Sequence, residues 1–435
     1  MELALLKGTK DYLPQEQILR DQIVTVIKEI FQKYGYQPAQ TPIIEMWDIL
    51  ASKYAGGEEI LKEAYRLRDQ GQRELGLRYD LSVPLSRLVG MNPNLGRPFK
   101  RYEIGSCFRD GPVKKGRYRE FVQCDADVIG VSSMLADAEC LVVAHNIFTT
   151  LGLDVYLEVN NRKLLTGILM EAGVPNDKLK TTILSIDKLK KIGFDGVQAE
   201  LGDKGIDSEL AERIFSYFRF SGKYMRILDQ LEPKLSNKIG LEGITELRQL
   251  YHFLQLFQIH EDVKLLYSLA RGLEIYTGTV FEAFLKKPGI VDSSLCGGGR
   301  YDKIIGSFLG GKEDFPAVGI SFGLDTIFDA LVSVKTPPKS LTQVFIIPIG
   351  TLDRCVVLAT DLRIEGIRTE IDLLNRSISR NLEYANQYEI PYVAIVGKRD
   401  LKEKAGTLRS MKDGKEVKLP LDQLPSRLKS LLEQK

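Results

Sequence analysis

The chain has 435 residues, more than a single hydrophobic core usually holds, so two or more domains are expected. Hydrophobic residues make up 44% of the sequence and charged residues 27%, which excludes a disordered chain and is typical of a globular protein. The net charge is only +2, from 60 basic and 58 acidic side chains, so a polyanion would have to bind at a local basic patch.

The start of the sequence and its cysteines indicate the compartment. Residues 1–11 contain Lys7 and Lys10 and lack an apolar stretch followed by a cleavage site, and no apolar run approaches the length of a bilayer span. Five widely spaced cysteines without a CxxC pair, and three scattered histidines, argue against a disulfide framework and a protein-held metal. We therefore expect a cytoplasmic protein that does not bind a membrane.

The first third of the chain combines a helix with strands. Ile23, Ile27, Ile30 and Phe31 have helical spacing and predict a helix over 20–34 that ends near Gly35. The pattern then shifts to period two, which predicts strands over residues 77–83, 101–109 and 121–130.

The rest of the chain divides into three parts. A Leu-rich and Lys-rich helical pattern predicts a helical insertion over 161–259, after which strand patterns return. Pro337 and Pro338 mark a linker at 333–341. Strands and helices then alternate as in a small α/β domain. The expected domains are a core at residues 1–160 with 260–332, the insertion at 161–259, and a C-terminal domain at 342–435 after the linker at 333–341.

Polar side chains share one face of two predicted strands. Asp80 and Ser82 alternate with apolar residues in the first of them, and Gln123, Asp125 and Asp127 do so in the last. This pattern fits a ligand-binding face, and it fits equally the solvated side of an antiparallel sheet.

Two further segments are compatible with a phosphate ligand. A basic turn at 111–119 contains Lys114, Lys115, Arg117 and Arg119, which can bind phosphates, although a charge run alone favours an exposed hairpin tip. Residues 297–299 are three glycines, which suit either a close approach of the backbone to a ligand or a tight turn.

These segments resemble, in order, the signatures of histidyl-tRNA synthetases. FRDGPVKKGRYREFVQCDADVIG at 108–130 resembles motif 2, and LRYDLSVP at 77–84 resembles the amino-acid-binding strand in its archaeal and eukaryotic form. LARGLEIYTGTVFE at 269–282 and CGGGRYD at 296–302 resemble the two signatures that distinguish histidine enzymes from other class II synthetases. KGTKDYLP at 7–14 and YGYQPAQTPIIE at 34–45 resemble the beginning of the family and its motif 1, so the resemblance spans nearly the whole chain.

The resemblance implies a fold and an activity. The fold is an α+β catalytic domain with an antiparallel sheet of the class II type, a helical insertion and a C-terminal α/β anticodon-binding domain, in a homodimer. The activity is the ATP-dependent conversion of L-histidine to histidyl-adenylate and its transfer to the terminal ribose of tRNA-His, with ATP and Mg²⁺ as substrates. The alternative is a catalytically impaired paralogue with a regulatory role in histidine biosynthesis. Retention of Arg271, Gly272 and Tyr276 and of the C-terminal domain argues against that alternative.

The resemblance also implies roles for particular residues. Arg109 and Arg271 are the expected catalytic residues, and together with Arg117 they are expected to bind ATP. Expected to bind histidine are Asp80, Leu81, Ser82, Gln123, Asp127, Ile275, Tyr276 and Tyr301.

The sequence departs from the family pattern at three of its signatures. Thr326 follows Asp325 where motif 3 has an arginine that contacts ATP, and Ile275 stands where a first tyrosine is usual. Gly111 stands where motif 2 often has an acidic residue.

The basic stretch 398–418 in the C-terminal domain fits contact with anticodon phosphates, and it fits equally a solvated Lys-rich surface.

Overall fold

The computed structural model describes residues 3–52, 61–114, 116–271, 275–308 and 315–433. By their contacts, these residues form two compact units. The first comprises the described residues up to Lys10 and Gln22–Lys335, and the second comprises Asp11–Asp21 and the described residues from Thr336.

The first unit is built on a mixed sheet in which eight strands fall within the described residues. The strands are β1 Gln37–Pro38, β5 Phe99–Phe108, β6 Glu120–Ile129, β7 Val155–Asn161, β8 Val263–Leu265, β9 Thr279–Leu285, β10 Cys296–Arg300 and β11 Ala317–Gly323. Their order in the sheet is β1-β5-β6-β11-β10-β9-β7-β8, and the five central strand pairs, from β5/β6 to β9/β7, are antiparallel. The two outer pairs, β1/β5 and β7/β8, are parallel.

A small antiparallel sheet lies earlier in the chain of the same unit. It contains β2 Ile44–Met46, β3 Arg66–Arg68 and β4 Glu74–Leu77, with β4 in the centre. The predicted strand over 77–83 is wrong in its extent, because β4 ends at Leu77 and a helix begins at Ser82.

Helices account for most of the remaining first unit. The predicted helix over 20–34 is confirmed and begins earlier, since it runs Pro14–Lys33 with Ile23, Ile27 and Phe31 fully buried. Residues 14–21 of this helix are assigned to the second unit, and the remainder to the first. The other α-helices of this unit are Trp47–Leu50, Ser82–Met91, Met134–Leu151, Arg162–Glu171, Leu179–Ile186, Leu189–Asp203, Ser208–Tyr217, Tyr224–Leu231, Lys238–Leu256, Ile304–Phe308 and Leu324–Val332. Short 3₁₀ helices lie at Asn176–Lys178, Glu232–Lys234 and His260–Asp262.

The helix Met134–Leu151 is the most apolar long helix among the described residues. Ser133 caps its first turn by accepting a hydrogen bond from the Leu135 N–H, and Gly152 ends it in the left-handed region at φ 75°. By length and hydropathy alone this helix could cross a membrane. Eleven of its side chains are buried, which is typical of a core helix in a globular domain.

The second unit is an α/β sandwich whose central strands are buried on both faces. Its strands are β12 Val344–Ile349, β13 Thr369–Ile371, β14 Tyr392–Gly397, β15 Ala405–Ser410 and β16 Glu416–Pro420, and its helices are Leu352–Ile364, Ile378–Gln387, Lys398–Lys402 and Leu424–Glu433. The sheet has the order β13-β12-β14-β15-β16, in which β13, β12 and β14 are parallel and β15 and β16 are antiparallel additions. Along β12, Val344 and Ile346 pack on one face and Phe345 and Ile347 on the other.

Burial on both faces explains why β12 appears in the sequence as a continuous apolar run rather than an alternating one.

The predicted fold class, a catalytic domain with an antiparallel sheet and a C-terminal α/β domain, is confirmed.

Candidate active site

A cavity of about 470 Å³ opens over one face of the large sheet in the first unit. Its volume lies in the range of small-molecule sites. Eight of the residues predicted from the sequence line it: Asp80, Ser82, Arg109, Arg117, Gln123, Arg271, Ile275 and Tyr276. Leu81, Asp127 and Tyr301 are not among the lining residues and lie behind them.

Asp80 enters the cavity from a helix start, not from a strand. Its Oδ1 accepts a hydrogen bond from the Val83 N–H at 3.0 Å, in the first turn of the helix Ser82–Met91. Burial raises the pKa of the Asp80 carboxyl, because the charged form loses its hydration. The neighbouring Ser82 is the first residue of the same helix, so a turn rather than a pleat brings these two side chains to the cavity.

Arg109 follows β5 directly, and its guanidinium is fixed by the chain opposite. The Arg109 Nε donates to the Tyr79 carbonyl at 3.0 Å, and the guanidinium lies 5.1 Å from the centre of the Phe121 ring. The Tyr79 hydroxyl in turn donates to the Leu50 carbonyl at 2.8 Å. Arg109 therefore has a defined direction before any ligand arrives.

Gln123 on β6 is held at both ends of its amide. Its Nε2 donates to the Ser321 Oγ on β11 at 2.9 Å, and its Oε1 accepts from the Cys107 thiol at 3.1 Å. Ser321 lies opposite Asp125 in the sheet register, and its hydroxyl also forms a hydrogen bond with the Asp125 carboxyl. The Ser321 hydroxyl therefore connects the Gln123 amide to Asp125.

Asp125 and Asp127 on β6 are each 3% exposed, which contradicts the alternative of a solvated outer face. Burial raises the pKa of Asp125 to about 8, and the charge of Asp127 adds to the increase. Burial also raises the pKa of Asp127, against the opposing effect of the Arg101 guanidinium. One carboxyl of this pair therefore holds a proton more readily than an exposed aspartate.

Asp127 is engaged by the protein itself. The Tyr301 hydroxyl donates to its Oδ1, and the Arg101 Nη2 lies 3.1 Å from its Oδ2. The same Nη2 donates to the Leu81 carbonyl at 3.0 Å. Leu81, Asp127 and Tyr301 thus form a layer that supports the cavity wall, and Asp125 is the β6 carboxylate that lines the cavity.

Arg271 reaches the cavity through space that glycine leaves open. A Cβ atom at Gly297 on β10 would overlap the Arg271 guanidinium, so the first glycine of the CGGG run accommodates a side chain of this protein. The Arg271 Nε lies 3.5 Å from the Glu282 carboxylate, and the guanidinium lies 5.6 Å from the centre of the Tyr276 ring. At Arg271 the backbone φ is +52°, a left-handed conformation that is rare for a non-glycine residue.

The basic turn is partly neutralised. Arg117 forms an ion pair with Glu63 at 2.8 Å, and Arg119 pairs with Asp110 at 3.0 Å. Arg117 lines the cavity with Lys114 and Gly116, so the turn is a wall of the site rather than only an exposed tip; Lys115 lies outside the described residues.

Thr326 occupies the wall where the motif 3 arginine was expected. Asp325 before it accepts a hydrogen bond from the Val122 N–H at 2.8 Å, which ties the helix Leu324–Val332 to β6. Thr326 itself is 7% exposed and lines the cavity.

Several residues that shape this cavity were not predicted from the sequence. Asp125 carried a sequence signal, because it shares a strand face with Gln123 and Asp127, whereas Glu63, Arg101 and Ser321 carried none.

Groups of three or more His, Cys, Asp or Glu that could hold a metal ion are not found among the residues the structure describes.

Two family models match the chain. The model described as histidyl-tRNA synthetase matches residues 8–327, and the one described as anticodon binding domain matches residues 343–431. A histidine–tRNA ligase 1 of Bacillus cereus is 47% identical over 429 residues, which cover 98% of this chain and 100% of that protein.

Solved structures share the fold. The crystal structure of histidyl-tRNA synthetase from Nostoc sp. PCC 7120 is 26% identical with a TM-score of 0.88, and the match covers 99% of each chain. An ATP phosphoribosyltransferase regulatory subunit/histidyl-tRNA synthetase from Bacillus halodurans C is 19% identical with a TM-score of 0.75, over 91% of this chain and 98% of that one, which is a likeness of fold alone.

Proposed function

The chain belongs to the histidyl-tRNA synthetase family, and we propose that its central cavity joins L-histidine to ATP before the acyl group passes to tRNA-His. It is an aminoacyl-tRNA synthetase with histidine, ATP and tRNA as its partners. The regulatory alternative is the weaker one, since the 47% identity to a histidine–tRNA ligase extends over 98% of the chain.

In the first step a histidine carboxylate oxygen attacks the α-phosphorus of ATP, forming the acyl-phosphate bond of histidyl-adenylate and releasing pyrophosphate. Both reactants are anions, so negative charge builds up around the phosphorus. Arginine stays protonated at all physiological pH values and can stabilise that charge from a fixed position. The observation that carries this proposal is the presence of Arg109 and Arg271 in the lining of one cavity.

We assign histidine recognition to the polar side chains of the same cavity. Asp80, Ser82 and Gln123 provide acceptors for the α-ammonium group, and Tyr276 provides a hydroxyl for the imidazole. Asp127 was expected to read the imidazole directly. The hydrogen bond from the Tyr301 hydroxyl and the ion pair with Arg101 favour a supporting role for Asp127.

ATP enters with Mg²⁺ as a substrate complex. Arg117 is proposed to bind its phosphates once it is released from Glu63, and Thr326 offers a hydroxyl in place of the missing arginine. In the second step the terminal ribose hydroxyl of tRNA attacks the acyl carbon, and AMP leaves with the phosphate oxygen.

The C-terminal unit is proposed to bind the anticodon. A second cavity lies at the carboxyl ends of the parallel strands β12 and β13, and open α/β sheets bind ligands at the carboxyl ends of their strands. Thr351, Arg354, Asp372 and Asn375 line it with polar groups suited to a nucleobase. We further propose that residues 161–259 act as an insertion, that the chain forms a homodimer and that it works in the cytoplasm.

The decisive experiment is histidine-dependent exchange of labelled pyrophosphate into ATP, followed by charging of tRNA-His. Exchange is expected with histidine and not with histidinol, which has no carboxylate to attack phosphorus. Exchange without charging would indicate an adenylating enzyme with another acceptor. Histidine binding without any exchange would favour the regulatory alternative.

A further inference from the structure

The backbone that carries Arg271 is held by an acidic side chain from a distant part of the chain. Asp187 lies directly after the helix Leu179–Ile186. Its Oδ1 accepts hydrogen bonds from the Ala270 N–H at 2.7 Å and from the Arg271 N–H at 3.2 Å. Asp187 is not among the residues that line the cavity, so its action on the site is indirect.

The residue held in this way has an unfavourable backbone conformation. Arg271 has a φ of +52°, where the Cβ atom of an L-residue is crowded, and such a conformation persists only when the surrounding structure fixes it. The preceding residues are anchored from β7, since the Asn160 Nδ2 donates to the carbonyls of Tyr267 at 3.0 Å and Leu269 at 2.7 Å. Asp187 holds the other end of the segment 267–271, at Arg271, whose φ is unfavourable.

The guanidinium of Arg271 tolerates little displacement. It occupies the space over Gly297 that a single Cβ atom would fill, and its Nη1 lies 3.4 Å from the Phe281 carbonyl. A shift of the backbone at Arg271 therefore moves the guanidinium out of a narrow slot and away from the direction it has in the cavity.

We propose that Asp187 is a positioning residue for adenylate formation: by accepting hydrogen bonds from two backbone N–H groups it holds Arg271 in the left-handed conformation that directs its guanidinium into the cavity. The proposal rests on the catalytic role assigned to Arg271 above. It also makes the helices around Asp187 part of the active-site support, although they contribute no side chain to the cavity lining.

The test measures histidine-dependent pyrophosphate exchange in full-length Asp187→Ala. Because Arg271 stabilises charge that appears only in the transition state, kcat is expected to fall by about 10- to 100-fold, while KM for histidine and for ATP changes by less than about threefold. Asp187→Asn keeps a carbonyl oxygen at the same place and is expected to retain kcat within about threefold of the wild type.

Glu171→Ala is the matched control. Glu171 also accepts two backbone N–H groups, from Ser236 at 2.9 Å and Asn237 at 3.3 Å, but these lie just before the helix Lys238–Leu256 and not beside Arg271. Its loss is expected to lower thermal stability and leave kcat unchanged. If Asp187→Ala does not fold, Asp187→Glu replaces it, because the extra methylene displaces the acceptor oxygen while the charge stays.

Each outcome decides a separate question. A kcat loss in Asp187→Ala that Asp187→Asn restores and Glu171→Ala lacks supports the positioning role. Wild-type kcat in the alanine and glutamate variants, or an equal loss in Glu171→Ala, overturns it. A wild-type protein without histidine-dependent exchange would instead overturn the proposed function itself.

Discussion

At the scale of single residues, the proposed chemistry depends on two guanidinium groups whose directions are fixed by contacts within the protein. Arg109 takes its direction from the Tyr79 carbonyl, and Arg271 takes its direction from the slot over Gly297. Preorganised charge of this kind stabilises a transition state without reorganisation during the reaction.

Arg271→Ala is expected to lower the kcat of pyrophosphate exchange by about 10²- to 10³-fold, as is usual when one charge-stabilising donor is removed. Alanine and arginine bear the same penalty at a φ of +52°, so the fold should be retained. Arg248→Ala, which removes ion pairs to Asp229 and Glu232 outside the cavity, is the control and should exchange normally. Near-normal exchange in Arg271→Ala would refute the catalytic role.

The buried Asp125 predicts a pH dependence of stability. Its pKa is raised to about 8 in the folded protein by burial and by the charge of Asp127, against about 4 in an unfolded chain. Between these values the folded state binds a proton that the unfolded state does not. The free energy of unfolding therefore falls as pH rises from about 4 to about 8, by at most about 1.4 kcal/mol per pH unit, and is level above that range.

Asp125→Asn cannot titrate, so it should lack this contribution, and its stability relative to the wild type should increase from pH 5 to pH 8. Urea denaturation at several pH values measures the difference, with the exposed Asp177→Asn as the control. Parallel curves for the wild type and Asp125→Asn would show that Asp125 does not hold its proton.

Eight of the residues predicted from the sequence line the cavity, but the sequence did not predict which neighbouring side chains face it. Asp125 and Asp127 share a face of β6, and period-two alternation cannot tell which of the two meets a ligand. The difference between them comes from Tyr301, which follows β10 and donates a hydrogen bond to Asp127, and from Arg101 on β5, which forms an ion pair with Asp127. Contacts between distant segments of the chain carry no local sequence signal.

At the scale of elements, the structure corrects one strand. The pattern over 77–83 alternates, yet β4 ends at Leu77 and the helix begins at Ser82. A competing signal was present, because Asp80 can cap a helix and Pro84 is tolerated in a first turn. The carboxylate bond to the Val83 N–H is the contact that this signal predicts.

The strand β10 gives a prediction of its own. Gly297→Ala places a Cβ where the Arg271 guanidinium lies, so the side chain must leave its slot. We expect a loss of exchange activity close to that of Arg271→Ala and a destabilisation of about 1–3 kcal/mol from overpacking.

Gly96→Ala is the control for Gly297→Ala, because a Cβ atom at Gly96 would meet no atom within 4 Å. Activity assays and thermal denaturation of both variants separate the effects. Normal exchange in Gly297→Ala would mean that the position of the guanidinium does not matter.

At the scale of the whole molecule, we propose a separate function for each compact unit: amino-acid activation in the first and anticodon binding in the second. The changes of sequence period predicted the order of strands, helices and a final α/β domain, whereas the class II fold itself was predicted from the resemblance to the synthetase family. The boundaries of the helical insertion remain a prediction.

In the basic stretch 398–418, Arg409 forms an ion pair with Glu416 and Lys418 with Glu403, so part of that charge is neutralised locally.

Reversing the charges of the short helix Lys398–Lys402 tests the anticodon proposal. Its residue Leu401 lines the second cavity, so Lys398→Glu, Arg399→Glu and Lys402→Glu together should weaken tRNA binding. The slope of log K against log salt should decrease in magnitude by about 0.7 for every single-strand phosphate that the variant no longer neutralises.

Filter binding at several salt concentrations measures this effect, and pyrophosphate exchange without tRNA should be unchanged as an internal control. Unaltered tRNA affinity and salt slope would show that the Lys398–Lys402 helix does not touch the tRNA.

Arg101 and Asp127, together with the buried charged residues Arg78 and Glu103, constrain how this sequence can evolve. Arg78 pairs with Glu103 at 2.8 Å, Arg101 lies 3.5 Å from Glu103 and 3.1 Å from Asp127, and all four side chains are at most 4% exposed. Replacing one member leaves an uncompensated buried charge, which costs about 3–5 kcal/mol. Drift at these four positions must therefore proceed through coordinated exchanges, and a substitution tolerated in one relative should prove harmful when transplanted alone into this background.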